Sequence, residues 1–344
     1  IYVTSDIHGY PLEKFKKMAE EFPCDFEEKD AFVYSATDRI KIENEIKAYE
    51  KLGISAEFVS SIPLPVECIG AVKVKNQAQF NPLEFLFSVA KGLRIYENTK
   101  VLEFMPEKVV CSGGTVTAKR IIVATHFPII NKHGGYSLKL YQDRSYVIAV
   151  KNGPDVKGMY LEDQGNSFSF RNYKNYLLIG SGSHRTGKKS VGYKTSEDFC
   201  KKNFPDARIE YRFATQDCMS LDGIPYIGEY SKGSENLYVA TGFNKWGMTS
   251  SMVAAEILSD MVINKKNEYE ELYAPSRSVI TPQLAVNLFE STVGLLTLST
   301  KRCPHLGCAL KWNSTEHTWD CPCHGSRFTE SGQVIENPAT DDLK

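Results

Sequence analysis

Two short runs near the C-terminus carry the residues best suited to chemistry. Residues 303–308 read C-P-H-L-G-C, and residues 321–326 read C-P-C-H-G-S. Thiolates and imidazoles are ligands for transition metals, and each run offers both kinds. The span between the runs is short enough for a hairpin that brings them together. The spacing therefore predicts a metal centre assembled from two loops.

This paired pattern resembles the Rieske iron–sulfur centres of cytochrome bc-type complexes and related Rieske ferredoxins. In such a centre, two thiolates hold one iron of a [2Fe–2S] cluster and two imidazoles hold the other. The resemblance implies that the ligands are Cys303, His305, Cys321 and His324. It also implies a disulfide between Cys308 and Cys323 that ties the two loops together. The implied chemistry is one-electron transfer.

Two other interpretations of these cysteines fit less well. A zinc site can use two Cys and two His, but the proline-containing double loop and its ordered Cys/His pairs are not those of a zinc finger. A secreted disulfide framework is disfavoured because the remaining cysteines are scattered without pattern. Gly307 and Gly325 also fit a cluster site, because glycine lets the backbone approach the cluster closely.

Two residues of the second loop bear on the reduction potential. The resemblance implies that the hydroxyl of Ser326 bonds a bridging sulfide. High-potential bc-type proteins carry a Tyr two residues later, and here that position is Phe328, which has no donor. Because hydrogen bonds to the cluster sulfurs raise the potential, we expect one in the lower part of the Rieske range.

Composition sets broad limits on the rest of the chain. Its 344 residues leave room for two or three domains, and 42% hydrophobic and 24% charged residues are ordinary for a globular protein. A net charge of −1 gives no reason to expect nucleic-acid binding. No apolar run reaches the length of about 18 residues typical of a membrane helix, and no signal-peptide pattern is visible. The expected location is cytoplasmic.

The remaining sequence alternates helical and strand patterns. Residues 1–4 are expected to form a strand, followed by a polar loop with Asp6 and His8 and then a helix from Leu12. Other helices are predicted over 37–52, 82–91, 195–203 and 248–262. Strands are predicted over 94–97 and 115–118, buried strands over 121–124 and 237–240, and a β-rich stretch over 145–179. Thr195 and Asp198 form a possible capping box.

Four local runs resemble FAD-dependent oxidoreductases of the D-amino-acid-oxidase and glycine-oxidase type. They are residues 95–101 (IYENTKV), 121–128 (IIVATHFP), 221–228 (LDGIPYIG) and 239–248 (VATGFNKWGM). The runs occur in the family's order, the resemblance covers residues 24 to about 275, and one branch of that superfamily carries a C-terminal Rieske domain. The expected fold is an α/β (α+β) flavoprotein-like body with a small all-β Rieske iron–sulfur domain at the C-terminus.

The resemblance also implies a flavin site. The strand over 237–240 enters a glycine-bearing turn and then a helix, whose N-terminus would face the flavin N1/C2=O region with free N–H groups and a positive dipole end. The candidate contacts are Gly242, Phe243, Asn244, Gly247 and Met248. The backbone of Val101 is expected near the adenine, and the turn at Thr125 near the cofactor.

A substrate site is expected in the β-rich stretch, which in this family covers the substrate side of the flavin. Arg171 is the candidate to hold a substrate carboxylate with both arms of its guanidinium. A purely structural role for Arg171 is an equal alternative. For His184 the structural role is preferred.

The sequence departs from the family at its N-terminus. The G-x-G-x-x-G motif that seats the pyrophosphate of FAD is absent, which argues against FAD binding by this chain. Residues 1–22 instead resemble the start of a calcineurin-like metallophosphoesterase, without the downstream motifs of that family. The predicted domains are a phosphoesterase-like fragment (1–22), an incomplete flavoprotein body (23–275), a linker (276–294) and the Rieske domain (295–344).

Several functions remain to be compared. The leading hypothesis is an oxidoreductase that passes electrons from a small amine or amino-acid-like substrate through FAD to the cluster, and then to a one-electron partner protein. The alternative is a non-enzymatic electron-transfer protein with a flavin-free structural body. A Rieske-type aromatic oxygenase would need two further His and a carboxylate for a mononuclear iron, and no H-x-x-x-H pair occurs. Phosphoesterase activity is the least favoured.

Overall fold

The computed structural model describes residues 5–105, 107–129, 134–164 and 168–344, with side chains from residue 12 onward. The helices in these ranges are α1 (Ser5–Glu21), α2 (Arg39–Lys51), α3 (Pro82–Ala90), α4 (Tyr136–Lys139), α5 (Lys194–Asn203), α6 (Gly247–Val262), α7 (Glu270–Tyr273) and α8 (Pro282–Leu296). The strands are β1 (Glu27–Ser35), β2 (Glu57–Val59), β3 (Gly70–Gln79), β4 (Val101–Met105), β5 (Lys108–Cys111), β6 (Gly114–Thr117), β7 (Ile121–Val123), β8 (Leu140–Lys151), β9 (Met159–Glu162), β10 (Ser169–Tyr173), β11 (Tyr176–Arg185), β12 (Arg208–Ser220), β13 (Tyr226–Glu229), β14 (Leu237–Thr241), β15 (Lys311–Asn313), β16 (Thr318–Asp320), β17 (Arg327–Thr329) and β18 (Val334–Glu336).

The chain divides into two compact units. The first comprises residues 1–93, 144–184 and 189–215, and the second comprises 94–143, 185–188 and 216–344. An eight-stranded sheet, ordered β12-β8-β11-β10-β9-β1-β3-β2, organises the first unit. Within it, Val33 of β1 lies opposite Val72 of antiparallel β3 and opposite Leu161 of parallel β9. Its core includes the buried side chains of Tyr34 and Phe170.

Three smaller sheets lie in the described residues of the second unit. In the sheet ordered β13-β14-β7, β14 runs parallel to β7, with Val239 opposite Val123, and antiparallel to β13. Helix α6 lies against β13 and β14. Strands β4, β5 and β6 form an antiparallel meander, and β15 to β18 form a four-stranded antiparallel sheet next to the cysteine-containing loops.

Most predicted elements are present with small shifts at their ends, because strong periodicity and Pro/Gly boundaries define them locally. Helix α3, for example, begins at Pro82, with the side chain of Asn81 capping the N–H groups of Leu83 and Glu84. Within the described ranges, no helix combines the length and apolar character that crossing a bilayer requires.

Some local predictions were wrong. Asp6 and His8 belong to α1 rather than to a loop, since the helix continues through Gly9 and Pro11, two residues that normally oppose it. Residues 94–97 form no strand, because a β pattern without a pairing strand does not hold a strand. The strand predicted over 1–4 lies outside the described residues.

Two further predictions, a capping box at the start of one helix and a linker segment, need correction. Helix α5 has no capping box: it begins at Lys194, with Tyr193 as N-cap and no side-chain capping bond, and Asp198 pairs with Lys194. The segment predicted as a linker, 276–294, contains most of α8, a helix that begins with proline and ends before Thr297. The predicted domain boundaries otherwise stay a prediction.

Candidate functional site

The two cysteine-containing loops share one backbone hydrogen-bond pattern. In the first loop, the Cys303 N–H donates to the Cys308 carbonyl at 2.9 Å, and the Gly307 N–H donates to the Cys303 carbonyl at 2.8 Å. The equivalent bonds of the second loop, both 2.9 Å, join Cys321 N–H to the Ser326 carbonyl and Gly325 N–H to the Cys321 carbonyl. Each loop therefore folds back on its first cysteine.

Glycine is required at the same place in both loops. Gly307 and Gly325 have φ angles of +80° and +82°, in the left-handed region that other residues avoid. The shared C-P-x-x-G sequence thus produces two copies of one turn, and each copy presents a Cys and a His toward the same space.

The four predicted ligands come together. The rings of His305 and His324 lie with centroids 4.9 Å apart and planes inclined at 87°. Cys303 and Cys321 are buried and close enough for one thiol to donate a hydrogen bond to the other. Two cysteines and two histidines match the donor set of a Rieske cluster.

Burial and neighbouring charges set the protonation of these groups. Burial is the largest cause that lowers the pKa of His324 to about 3, followed by electrostatic repulsion from His305 in its protonated form and from Arg185. Burial lowers the pKa of His305 to about 4. Both imidazoles are therefore neutral near pH 7, as a ligand to iron must be. The hydrogen bond from Cys321 lowers the pKa of Cys303 to about 7, which favours a thiolate at this position.

The surroundings of His324 fit a metal ligand. Its side chain is 2% exposed, and neither ring nitrogen has a hydrogen-bond partner in the described structure. The backbone of Ser137 approaches the ring and raises the pKa slightly, but not with the geometry of a hydrogen bond. Because buried polar atoms are normally satisfied, this histidine fits a site completed by iron.

The remaining two cysteines form a cross-link. Cys308 and Cys323 are joined as a disulfide between the two loops. Their sulfur atoms also lie within 4.8 Å of the Cys321 sulfur, but disulfide sulfurs are not thiolates and do not serve as cluster ligands here. The bond instead holds the loops at a fixed spacing.

Arg185 holds the second loop through its backbone. Its Nε donates to the Pro322 carbonyl at 3.0 Å, and its Nη2 donates to the Cys323 carbonyl at 3.0 Å. Its Nη1 donates to Asn287 of α8 at 2.7 Å. Three bonds from one planar guanidinium fix both the position and the direction of the loop.

The turn after β7 also contacts the cluster region. The side chain of Asn337 donates to the carbonyls of Thr125 and Phe127. The ring of Phe127 is edge-on to the rings of both His305 and His324. Residues 125–127, here called the β7 turn, thus form one wall of the cluster site.

A cavity of about 610 Å³ lies beside the β7 turn. Its walls come from β7, β14, the following turn and α6, and include Ile122, His126, Thr241, Gly242, Phe243 and Ala254. Ile122 was expected to be buried but is 46% exposed, because its side chain lines this open cavity. The volume lies within the usual range for small-molecule sites.

The structure brings only some of the predicted flavin residues together. Gly242 and Phe243 line the cavity, and Thr125 lies beside lining residues in the β7 turn. Gly247 begins α6, whose N-cap Trp246 makes no side-chain capping bond, and the space around its Cα is open. Met248 follows in the same first turn, whereas Val101 lies on β4 and does not line the cavity.

Asn244 has a structural role that the sequence did not indicate. Its side-chain oxygen accepts the Ser220 N–H at 2.8 Å, and its amide nitrogen donates to the Gly242 carbonyl at 2.6 Å. Both ends of this amide therefore hold the turn between β14 and α6 against β12. The cavity, the uncapped helix N-terminus and the open glycine fit the flavin end of FAD, while the sequence offers no glycine-rich pyrophosphate motif.

The predicted substrate residues belong to the first unit. Arg171 on β10 is half-buried and donates to the Gln79 side chain at 3.4 Å, and burial lowers the pKa of its guanidinium. His184 stacks on Tyr146, with centroids 5.7 Å apart, and a ring nitrogen contacts the Gly182 carbonyl. The contacts of His184 are those of a packed structural residue.

Comparison with known proteins identifies the class. Residues 6–261 match the model of the FAD dependent oxidoreductase (DAO) family, and residues 261–344 match the Rieske [2Fe-2S] domain. The chain therefore belongs to the FAD dependent oxidoreductase family and carries a C-terminal Rieske domain. The first match begins inside the segment that resembled a phosphoesterase, and the second begins earlier than the predicted boundary at residue 295.

A curated relative covers almost all of the chain. It is named as a Rieske 2Fe-2S iron-sulfur protein, YhfW, of Bacillus subtilis strain 168, and is 38% identical over 387 aligned positions, covering 94% of this chain and 76% of the relative. Because the alignment is longer than the 344-residue chain, the relative contains residues with no counterpart here. The cytochrome b6-f complex iron-sulfur subunit of Nostoc punctiforme is 51% identical over 37 residues, which cover 11% of this chain and 21% of that protein.

Solved structures support the fold of the body. The glycine oxidase of Geobacillus kaustophilus superposes with a TM-score of 0.66 and 17% identity, over 80% of this chain and 82% of that one. The L-proline dehydrogenase of P. horikoshii gives a TM-score of 0.64 and 15% identity, over 79% and 82% of the two chains. At this identity the likeness concerns the fold.

These matches confirm the predicted fold class and the enzyme class. The chain is an FAD-dependent oxidoreductase, and its two domains imply two cofactors, FAD and a [2Fe–2S] cluster. The supporting residues Arg185 and Asn337 were not predicted, because each acts through a backbone carbonyl distant in sequence. His126 could have been found from the sequence, since it stands inside the run over 121–128 that resembles the flavoprotein family.

Proposed function

We propose that this enzyme passes electrons from a small amine or amino-acid-like substrate through FAD to the Rieske cluster, and from there singly to an acceptor protein. The position of the β7 turn supports electron transfer from FAD to the cluster. His126 of that turn lines the cavity, while the next residue, Phe127, contacts both candidate histidine ligands. The two candidate cofactor sites are therefore separated by a single turn of backbone.

We assign particular residues to each cofactor of this electron route. FAD accepts two electrons together and releases them one at a time, which suits a route from a hydride donor to a one-electron cluster. Cys303, His305, Cys321 and His324 are proposed to hold the cluster. Gly242, Phe243 and the N-terminus of α6 are proposed to receive the flavin, whose reduced, anionic form is favoured by the dipole of that helix.

A flavin-free electron-transfer protein is the alternative. The missing G-x-G-x-x-G motif favours it, because FAD would lack the usual seat for its pyrophosphate. Family membership and the cavity favour the enzyme. The two functions differ in one observable property, the presence of bound flavin.

Spectroscopy on anaerobically purified protein tests the proposal. Flavin absorbance bands, together with a rhombic EPR signal of Rieske type after dithionite reduction, are the expected result, and an amine substrate should bleach the flavin bands. Cys303→Ser should remove the EPR signal and keep the flavin. An EPR signal without any flavin would leave the electron-transfer protein as the function, and no EPR signal would overturn both.

The substrate assignment has its own test. If Arg171 holds a substrate carboxylate, Arg171→Met should raise KM for carboxylate substrates, with Arg171→Lys restoring part of the affinity. Arg208→Met, at an exposed arginine of the first unit, is the matched control and should change KM little. Equal effects of both variants would leave Arg171 with a structural role only.

The cytoplasm is the proposed location. A disulfide there must resist thiol reductants, and Cys308 and Cys323 are each 1% exposed beside the cluster site. The proposal fails if fractionation finds the protein in an extracytoplasmic compartment.

A further inference from the structure

We propose that Gln142 couples the cavity beside β14 to the loop that carries His324, so that filling the cavity changes the reduction potential of the cluster. This inference rests on the proposed function, because it concerns the two cofactor sites which that function requires. Gln142 is in this view a positioning residue, since it bonds the backbone of a ligand-bearing loop rather than the cluster itself.

The amide nitrogen of Gln142 donates both of its hydrogens to the Rieske part of the chain. This residue of β8 is 1% exposed, and its Nε2 donates to the His324 carbonyl at 2.9 Å and to the Asn337 carbonyl at 3.1 Å. An amide nitrogen has two hydrogens, and two backbone carbonyls accept them. The orientation of the amide is therefore determined by these contacts.

The amide oxygen consequently faces the cavity wall. Oε1 of Gln142 lies 3.1 Å from Nε2 of His126, which must carry a hydrogen, because a carbonyl oxygen only accepts. The hydroxyl of Thr241 donates to the His126 carbonyl. His126 has a φ of +61°, a backbone conformation that a non-glycine residue keeps only when its surroundings hold it there.

The second loop is also pressed against the stem of Gln142. Gly325, which follows His324, has a φ of +82°, and a Cβ built on it would lie 2.6 Å from the Cβ of Gln142. A movement of the Gln142 side chain would therefore displace the second loop, both through van der Waals contact and through hydrogen bonds. A chain of direct contacts runs from His126 in the cavity wall to the ligand His324.

Coupling between two sites is reciprocal and measurable. If flavin in the cavity shifts Gln142, the cluster in flavin-loaded protein should differ in midpoint potential from the cluster in flavin-free protein. We expect a change of about tenfold in the redox equilibrium constant, which is about 59 mV for one electron. An EPR-monitored redox titration of the cluster, before and after loading with FAD, measures it without reference to turnover.

Gln216 provides a matched control. Its Nε2 donates to the Gly325 carbonyl at 2.9 Å, and its Oε1 accepts from the Thr186 hydroxyl at 2.7 Å. It thus holds the same loop, but neither of these two bonds involves His126. Gln142→Leu should abolish the FAD-dependent shift, and Gln142→Glu, of nearly equal size but unable to donate to the two carbonyls, should do the same. Gln216→Leu should retain the shift.

The outcomes separate this inference from the proposed function. Wild-type protein that binds no FAD would overturn both. FAD binding with no change in potential, or a shift that persists in Gln142→Leu, would overturn the coupling alone. If the Gln142 variants fail to assemble a cluster while Gln216→Leu succeeds, the contact serves assembly only and the coupling is likewise refuted.

Discussion

The ring of Phe127 meets the ring of His324 edge-on, with centroids 6.0 Å apart and planes inclined at 67°. Phe127 also belongs to the same buried cluster as Val123 and Val239 in the core of the second unit. One side chain therefore belongs both to the sheet that carries the cavity and to the wall of the cluster site. This arrangement makes the β7 turn sensitive to changes on either side.

Shortening Phe127 should weaken both the core and the cluster site. Phe127→Leu is expected to lower the free energy of unfolding by about 1.5 kcal/mol, because it removes buried ring atoms and the edge-to-face contacts with both imidazoles. The cluster should also lose iron faster to a chelator, which the decay of the reduced EPR signal measures.

Phe170→Leu is the matched control for this variant. Phe170 is equally buried, at 1% exposure, but packs in the core of the first unit. Phe170→Leu should lower the free energy of unfolding by a similar amount without changing the rate of iron loss. Equal rates of iron loss in the two variants would show that the contact of Phe127 with the histidines is immaterial.

Removing the disulfide should loosen the cluster loops. The bond closes a segment with a sequence separation of 15 residues, for which loop closure stabilises the folded state by about 3 kcal/mol. The double variant Cys308→Ala/Cys323→Ala should therefore still show a Rieske EPR signal, but with a much shorter lifetime on warming. Cys200→Ala, at a buried free cysteine of the first unit, should leave that lifetime unchanged. A signal of wild-type lifetime in the double variant would contradict this role.

A tyrosine at position 328 should raise the reduction potential. Phe328 is fully buried and packs in one cluster with Cys303 and Cys321. A hydroxyl that donates to a ligand sulfur stabilises the reduced, more negative state, so Phe328→Tyr should raise the midpoint potential by on the order of 50 mV. Phe328→Leu supplies no donor and should produce no such rise. An unchanged potential in the Tyr variant would show that the missing hydroxyl does not explain a low potential.

The cluster site was predictable because its information is local. Each loop contains its own cysteine, histidine and glycine, so the spacing indicates a metal-binding turn, and the resemblance to Rieske proteins implies which residues are the ligands. The supports of that site are not local. Gln142 and Arg185 donate to backbone carbonyls far along the chain. Because every residue has a backbone carbonyl, such an acceptor cannot be recognised from the sequence.

The flavin side was predictable only in outline. The strand–turn–helix pattern around residue 242 correctly indicated β14 and α6, because apolar runs bounded by glycine define such elements. Asn244 was assigned to the cofactor, yet its amide is bonded on both sides to the protein. Ile122 was expected to be buried because its run is apolar, but its side chain lines the cavity, and an apolar run does not show which face of a strand the rest of the fold covers.

The pair formed by Asp222 and Arg277 predicts a pH dependence of stability. The guanidinium donates to both carboxylate oxygens, from Nε at 3.0 Å and from Nη2 at 2.9 Å, and lies 4.1 Å from the centre of the Tyr226 ring. Burial alone would raise the pKa of Asp222, but Arg277 outweighs it and holds that pKa below its usual value.

Since the pKa of Asp222 is lower in the folded state, its contribution to stability is complete above the unfolded value of about 3.9 and is lost as the pH falls through the folded value. Asp222→Asn should therefore lower the free energy of unfolding by about 2 kcal/mol at neutral pH, because it removes charge-assisted bonds to a half-buried arginine. The difference from wild type should shrink below pH about 4, as the wild-type carboxylate becomes protonated. Urea denaturation across this range measures it. Asp198→Asn, in the exposed pair with Lys194, should change stability little at any pH. A deficit in Asp222→Asn that is constant with pH would show that the variant perturbs packing and not the ion pair.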